Sequence, residues 1–184
     1  MIPIKITELK IEPQTHVRST KGDRWLFAVS DEYLEEYDQK RATDHPEGKK
    51  GRNMNRKRQL EKYNAYKEEL RWIAKKQGFT MPHGYFAIWF CIPHPKSWRK
   101  AKIRELLYEP HQSTPDWDNC TKAFFDALMP RKKRTKGETG SDDRLVHCGA
   151  VFKVWVGQDE GCIKVLEYVK EDFLMAFKLP DAMQ

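Results

Sequence analysis

The alternation of apolar and polar residues predicts several short β-strands. Residues 2–11 place an apolar side chain at nearly every second position and predict an opening strand. Residues 85–92 are apolar on both faces, which is typical of a strand in the middle of a sheet. Residues 145–156 predict a buried strand, and residues 162–169 predict its hairpin partner beyond the loop 157–161.

Helical spacing dominates the remaining ordered segments. A stripe of apolar residues at helical period predicts a long helix over 55–77, which ends at Gly78. Ser30 is placed to cap another helix, and a short terminal helix is expected over 171–178. Between the opening strand and the Ser30 helix, the apolar residues of 25–29 predict a short second strand.

The start of the long predicted helix carries an unfavourable charge pattern. Arg56, Lys57 and Arg58 are consecutive cations, and cations at a helix N-terminus oppose the helix dipole. The sequence therefore predicts that the helix begins later or that an anion lies near these residues.

The order of these elements indicates the fold class. Strands and helices alternate irregularly along the 184 residues, which predicts an α/β (α+β) fold with a mixed β-sheet packed against helices. A chain of this length suits one domain with a substantial core, so residues 1–184 are expected to form a single domain. Basic loops are expected at about 39–58, 94–104 and 130–141.

The net charge narrows the class of partner. Lysine and arginine number 34 against 27 acidic residues, which gives a formal charge of +7 and favours a polyanionic partner. A mobile, solvated role for the basic segments, and a packing role for the Trp98 indole among them, are the alternatives to phosphate contact and base stacking. The candidate DNA-binding residues are Arg18, Lys21, Lys96, Arg99, Lys100, Arg131, Lys132, Lys133, Arg134 and Lys136.

The compartment is expected to be the cytoplasm. No long apolar span, amphipathic membrane helix or signal-peptide pattern is visible, so no membrane association is expected. The four cysteines are widely spaced, without a C-x-x-C pair or a histidine at zinc spacing, and are expected to be reduced thiols.

The candidate chemistry is concentrated at residues 115–128. Asp116 and Asp118 lie two positions apart before a predicted helix, for which Asp118 or Asn119 would be a good N-cap. Lys122 lies one helical turn beyond Asp118, so its ammonium group would project beside the carboxylate pair. Asp126 lies one further turn along.

Two neighbouring carboxylates repel each other unless a cation or a proton lies between them. Mg²⁺ takes oxygen ligands and commonly binds through one or two carboxylates, so this pair predicts a magnesium site. The alternative is that Asp116 and Asp118 are helix-capping acids and that Lys122 and Asp126 form a surface pair. A calcium-binding EF-hand loop is excluded, because Cys120 occupies a ligand position and Thr121 the position that needs glycine.

A second acidic pair strengthens the metal-site hypothesis. Asp142 and Asp143 immediately precede the predicted strand 145–156. A carboxylate at the mouth of this strand is a plausible third ligand for a metal ion held by Asp116 and Asp118.

The pattern P-D-W-D-N-x-x-K-A-F-F-D-A-L, followed by D-D-R-L-V at a strand start, resembles the RusA-type Holliday-junction resolvases. The likeness is specific over residues 114–156 and looser over 55–93. The resemblance implies a RusA-like fold, with Asp116, Asp118 and Asp143 as catalytic metal-binding acids, Asp142 as an alternative ligand and Lys122 as the essential lysine. It also implies a homodimer that acts on branched DNA. Such endonucleases are common in phages and prophages.

These observations and the resemblance together predict a Mg²⁺-dependent endonuclease that resolves four-way junctions in DNA recombination and repair. Mn²⁺ is a possible substitute, and no small-molecule cofactor is expected. The alternative is a non-catalytic DNA- or RNA-binding protein in which the acidic residues cap helices and form ion pairs.

Overall fold

A computed structural model describes residues 2–44, 51–129, 146 and 148–177. The chain divides into two compact units, His16–Tyr66 and the combination of Met1–Thr15 with Lys67–Gln184. In the described part, the helical elements are a 3₁₀ helix (Lys21–Phe27) and the α-helices α1 (Asp31–Asp44), α2 (Arg52–Lys76), α3 (Lys100–Leu106), α4 (Trp117–Leu128) and α5 (Lys170–Ala176).

The larger unit is built on a four-stranded mixed sheet. Its strands are β1 (Lys5–Leu9), β2 (Phe86–Pro93), β3 (Gly149–Val156) and β4 (Cys162–Glu167), in the spatial order β1-β4-β2-β3. Strand β2 is parallel to β3 and antiparallel to β4, and β1 is antiparallel to β4. This mixed sheet with its helices confirms the predicted α+β class.

The predicted hairpin between the last two strands is wrong. Strand β4 pairs with β1 and β2, whereas β3 pairs with β2 alone among the described strands. The physical reason lies in β2, whose side chains are buried on both faces, as is typical of a strand inside a sheet. Strand β2 therefore lies between β3 and β4 and separates them. At Gly161, a Cβ would meet Pro93 Cγ at 2.9 Å, so the connection from β3 to β4 passes closely by the end of β2.

Helix α4 packs its apolar face on this sheet. The rings of Phe90 on β2 and Phe124 on α4 meet edge to face with centroids 6.2 Å apart. Near the other end of α4, Arg71 Nε donates a hydrogen bond to the Ala127 carbonyl at 2.7 Å. The predicted C-terminal stop of the long helix is confirmed, because Gly78 adopts a φ of +63° directly after α2.

The unit His16–Tyr66 has its own small core. Leu26 from the 3₁₀ helix, Leu34 from α1, and Met54 and Leu60 from α2 are buried together. The strand predicted over 25–29 is wrong, since this segment belongs mainly to the 3₁₀ helix. Asp23 directs that outcome by accepting hydrogen bonds from the backbone and hydroxyl groups of Thr20, at 2.7 and 3.0 Å.

The predicted Ser30 cap is confirmed, since Ser30 Oγ accepts a hydrogen bond from the backbone of Tyr33 at 3.2 Å. The polar segment predicted as a loop over 39–58 is largely helical, because α1 continues to Asp44 and α2 begins at Arg52. Residues 45–50 within it lie outside the described residues.

The cationic start of α2 is balanced by buried aspartates, which confirms the predicted nearby anion. Asp38 accepts hydrogen bonds from the backbone groups of Asn53 and Met54, at 3.0 and 3.1 Å. Asp23 accepts two bonds from the Arg56 guanidinium, at 3.0 and 3.1 Å, and Asp31 pairs with Lys57 at 2.5 Å. The helix therefore begins earlier than expected, with anions placed around its first turns.

Candidate active site

The segment that leads into α4 is fastened along the free edge of β3. The backbone of Tyr108 donates to the Trp155 carbonyl at 2.9 Å, and Trp155 donates back to Glu109 at 3.1 Å. The backbone of His111 donates to the Lys153 carbonyl at 3.0 Å. These bonds fix the approach to the carboxylate pair on the sheet.

Lys153 holds the final residues of this segment. Its ammonium group donates to the carbonyls of Ser113 and Pro115, at 2.9 and 2.5 Å, immediately before Asp116. The sequence alone did not indicate this role for Lys153. The available signal was a single lysine within the otherwise apolar strand Gly149–Val156, where a charged side chain needs a polar partner.

Asp116 is the residue that precedes α4, and its carboxylate does not cap the helix. Its backbone is extended, with φ −69° and ψ 146°, and its carbonyl accepts the first helical bond from Cys120 at 3.1 Å. The prediction that Asp118 or Asn119 is the N-cap is therefore wrong by two or three positions. Within the described part of the chain, the exposed Asp116 side chain forms no hydrogen bond or ion pair, so both of its oxygens are available to a ligand.

Asp118 lies in the first turn of α4 beside Lys122. The Lys122 ammonium group is 2.8 Å from Asp118 Oδ2, as the one-turn spacing predicted. The hydrogen bond from Lys122 lowers the pKa of the Asp118 carboxyl group below its ordinary value. Asp118 therefore stays ionised at neutral pH, with a cation beside it.

Cys120, in the first turns of α4, is fully buried. Burial raises the pKa of Cys120 to about 11, with Asp116 and Asp118 adding to the rise and Lys153 opposing it. Cys120 is thus a protonated thiol at neutral pH, and not a nucleophile.

The oxygen donors at this position fit a hard divalent cation. Among the described residues, Asp116 presents an unengaged carboxylate, and Asp118 presents a second one that accepts a hydrogen bond from the exposed ammonium group of Lys122. No group of three or more histidine, cysteine, aspartate or glutamate side chains that could hold a metal occurs in the described ranges. The expected third ligand, Asp143 or Asp142, lies outside them.

The structure locates some of the candidate DNA-binding residues. Lys96, Arg99 and Lys100 are exposed around the start of α3, and Arg18 and Lys21 are exposed in the unit His16–Tyr66. The predicted loop 94–104 is therefore partly helical. The remaining candidates, which are Arg131, Lys132, Lys133, Arg134 and Lys136, lie outside the described residues.

Trp98 packs within its own unit, as the packing alternative predicted. Its ring stacks with His94 at a centroid distance of 6.0 Å and contacts Trp155 at 4.6 Å. The Lys102 ammonium group lies 4.4 Å from the Trp98 ring centroid. This indole therefore anchors the basic segment to β3.

No helix in the described ranges is long and apolar enough to cross a membrane.

An exposed carboxylate pair with an adjacent lysine, on a basic α+β fold, is suited to binding a metal ion and a phosphodiester. Comparison with protein families identifies the group. The family model Endodeoxyribonuclease RusA matches residues 41–165, which is more than half of the 184 residues. The chain therefore belongs to the RusA family of endodeoxyribonucleases.

Membership in this family identifies an endonuclease of the class that resolves Holliday junctions and acts on branched DNA. Resolvases of this family generally depend on a divalent metal. Comparison with curated proteins and with solved structures gave no significant match.

Proposed function

We propose that this protein is a Mg²⁺-dependent, structure-selective endonuclease that cuts four-way DNA junctions. The observation that carries the proposal is the Asp116 carboxylate, which has no partner among the described residues and lies two positions before the Asp118–Lys122 pair, inside the segment matched by the family model. If the two acids served only to cap α4, the Asp116 side chain would be expected to accept a backbone hydrogen bond.

Asp116 and Asp118 would hold the metal ion, and Asp143 would complete the acidic set, with Asp142 as the alternative. When bound, Mg²⁺ supplies Lewis-acid polarisation of the scissile phosphodiester. The bonds from Lys153 to the Ser113 and Pro115 carbonyls support the preorganisation of this site, because they restrain the backbone immediately before Asp116. Mn²⁺ has the same preference for oxygen ligands and is expected to substitute.

Lys122 is proposed to act on the phosphate. Its ammonium group is 2.8 Å from Asp118 Oδ2 and remains largely exposed, so it can turn toward a phosphate oxygen bound at the acids. A cation there would stabilise the negative charge that develops on the phosphate during cleavage.

The assembly and the substrate are proposed to share symmetry. A four-way junction has approximate two-fold symmetry, and two matched cuts need two sites related by the same axis, so a homodimer is expected. The exposed residues Lys96, Arg99, Lys100, Arg18 and Lys21, and the basic run 131–136, are proposed to contact the DNA backbone.

The experiment compares a synthetic four-way junction with a linear duplex of the same sequence, each incubated with the purified protein with and without Mg²⁺. Denaturing gels should show paired cuts in the junction strands only when Mg²⁺ is present, and little cleavage of the duplex. Tight junction binding without cleavage in Mg²⁺ or Mn²⁺ would favour the non-catalytic DNA-binding protein.

A further inference from the structure

The unit His16–Tyr66 contains a cleft that the proposed cleavage chemistry does not use. Its volume is about 910 Å³, and its walls come from the 3₁₀ helix, α1 and the first turns of α2. A cleft of this size can receive a nucleotide-sized ligand.

The charge of the cleft is positive. Among the described residues, Arg41, Arg52 and Arg56 line it together with one carboxylate, that of Asp23. The bidentate bond from Arg56 occupies Asp23, and this bond lowers the pKa of the Asp23 carboxyl group well below its ordinary value. Arg41 and Arg52 are exposed and form no hydrogen bond or ion pair with other residues of the described chain. Their guanidinium groups are therefore free to pair with phosphates.

Part of the cleft wall is aromatic. Trp25 and Tyr37 both line the cleft, are 36% and 41% exposed, and meet edge to face at a centroid distance of 5.6 Å. Tyr33 stacks beside Tyr37 at 6.4 Å and extends the aromatic surface along α1. Exposed aromatic faces next to arginines are the combination with which proteins bind the bases and backbone of single-stranded DNA.

Polar amide side chains also line the cleft. Asn55 and Gln59 present exposed amides on α2. Amides can donate and accept hydrogen bonds at base edges without demanding a single base. The adjoining cleft along α1 shares Arg41, but among its described lining residues two carboxylates, Glu36 and Asp44, accompany the two cations Lys40 and Arg41, without an ion pair to Arg41. The positive charge is thus concentrated beside Trp25.

We propose that this cleft binds an unpaired segment of DNA, with a base stacked on Trp25 and Tyr37 and the flanking phosphates paired with Arg41 and Arg52. The choice of DNA as the ligand rests on the proposed function, because bases unstacked at a branch point would supply such a segment. Trp25 and Tyr37 precede residue 41, where the family match begins. The aromatic half of the cleft is therefore a feature of the N-terminal sequence outside that match.

The test measures binding of a fluorescent twelve-nucleotide oligothymidine, and of an abasic oligomer of equal length, by anisotropy without divalent metal. Trp25→Leu, which keeps an apolar side chain without an aromatic face, should weaken oligothymidine binding by about fivefold or more and leave abasic binding unchanged. Trp72→Leu is the matched control, since Trp72 is also an exposed tryptophan, at 62%, and should change neither affinity.

The arginines are tested by removing equal charge at two places in the same unit. Arg41→Gln with Arg52→Gln should weaken binding of both oligomers and reduce the slope of log affinity against log salt by about 1.4. Arg24→Gln with Lys62→Gln removes two exposed charges that do not line the cleft. This control pair should have a clearly smaller effect on both the affinity and the slope.

Two results would overturn the inference. One is an unchanged oligothymidine affinity in the folded Trp25→Leu protein, and the other is an equal loss for both oligomers. Circular dichroism checks the fold, and Tyr37→Leu replaces the tryptophan variant if that variant does not fold. These assays contain no metal, so their results are independent of cleavage. If the wild-type protein shows the predicted binding pattern but never cuts a junction, the proposed function is refuted and the cleft remains a binding site.

Discussion

The first turns of α2 and α4 place aspartates beside basic residues in opposite ways. At α2 the helix itself is cationic, and Asp38 and Asp23 are 6% and 8% exposed and saturated with hydrogen bonds. At α4 the aspartates belong to the helix start: in the part of the chain that the structure describes, the Asp116 side chain makes no capping hydrogen bond, and Asp118 pairs with the exposed Lys122. Buried, saturated aspartates stabilise the fold, whereas exposed and unsaturated ones are available to a ligand. Asp38 and Asp23 therefore stabilise the start of α2, whereas Asp116 and Asp118 are proposed to take part in the chemistry.

The largest effect should come from the carboxylates of α4. Asp116→Asn and Asp118→Asn each keep the side-chain shape but remove a negative charge from the proposed metal site, so junction cleavage should fall by several orders of magnitude. Junction binding should persist or tighten, because a source of repulsion toward phosphate is gone. Cleavage rates and gel-shift affinities measure the two effects. Cleavage that survives in both variants would place the chemistry elsewhere.

Lys122→Ala should lower the cleavage rate by about 100-fold, because a cation that stabilises developing charge is lost. The melting temperature should stay close to that of the wild type, since exposed pairs one helical turn apart contribute little to stability. Single-turnover rates and thermal melts separate these outcomes. Lys62→Ala, which removes another exposed helical lysine, is the control, and equal rates in the two variants would end the assignment of Lys122.

Removal of an aspartate that holds the start of α2 should reduce the stability of the fold. Asp38→Ala leaves the backbone groups of Asn53 and Met54 without their acceptor, so the free energy of unfolding should fall by about 1–3 kcal/mol. Urea titration measures this loss. Cleavage per folded molecule should remain at the wild-type level, and a specific loss of cleavage in folded Asp38→Ala protein would break the contrast between the two helix starts.

Asp23 should give the smallest effect, visible as a dependence on pH. The bonds from Arg56 lower the pKa of the Asp23 carboxyl group in the folded state well below its ordinary value, so its stabilising contribution is complete above that ordinary value. The contribution is lost as the pH falls toward the folded-state pKa. The stability difference between wild type and Asp23→Asn should therefore be greatest above about pH 5 and shrink in stronger acid. Glu61→Gln, a change at an exposed acid, is the control, and a difference that stays constant with pH would contradict the account.

The sequence was sufficient for most of the main elements, and it pointed to the aspartates at the start of α4 that are proposed to form the site. Helical spacing placed α2 and its stop at Gly78, and the spacing of Asp118 and Lys122 predicted their contact. Strand pairing could not be predicted in the same way, because the position of β4 depends on the burial of both faces of β2. The 3₁₀ helix was missed because the side-chain bonds of Asp23 outweighed the apolar character of residues 25–29.

The part of the site that was missed depends on tertiary contacts. Lys153 is about forty residues from the carbonyls that it holds, so no local pattern links it to Asp116. The cleft beside Trp25 likewise joins three elements whose pairing is set by the core of the unit His16–Tyr66. Local spacing predicts which side chains share a helix, but only the folded chain brings such separate elements together.

The central claim is that the aspartates at the start of α4 bind a divalent cation, whereas Asp38 of α1 and Asp23 of the 3₁₀ helix, which hold the start of α2, do not. Isothermal titration of Mg²⁺ into wild-type protein, Asp118→Asn and Asp38→Asn tests it without relying on cleavage. The wild type and Asp38→Asn should bind Mg²⁺ with the same affinity, and Asp118→Asn should lose most of that binding. Equal Mg²⁺ affinity in Asp118→Asn and the wild type would contradict the claim.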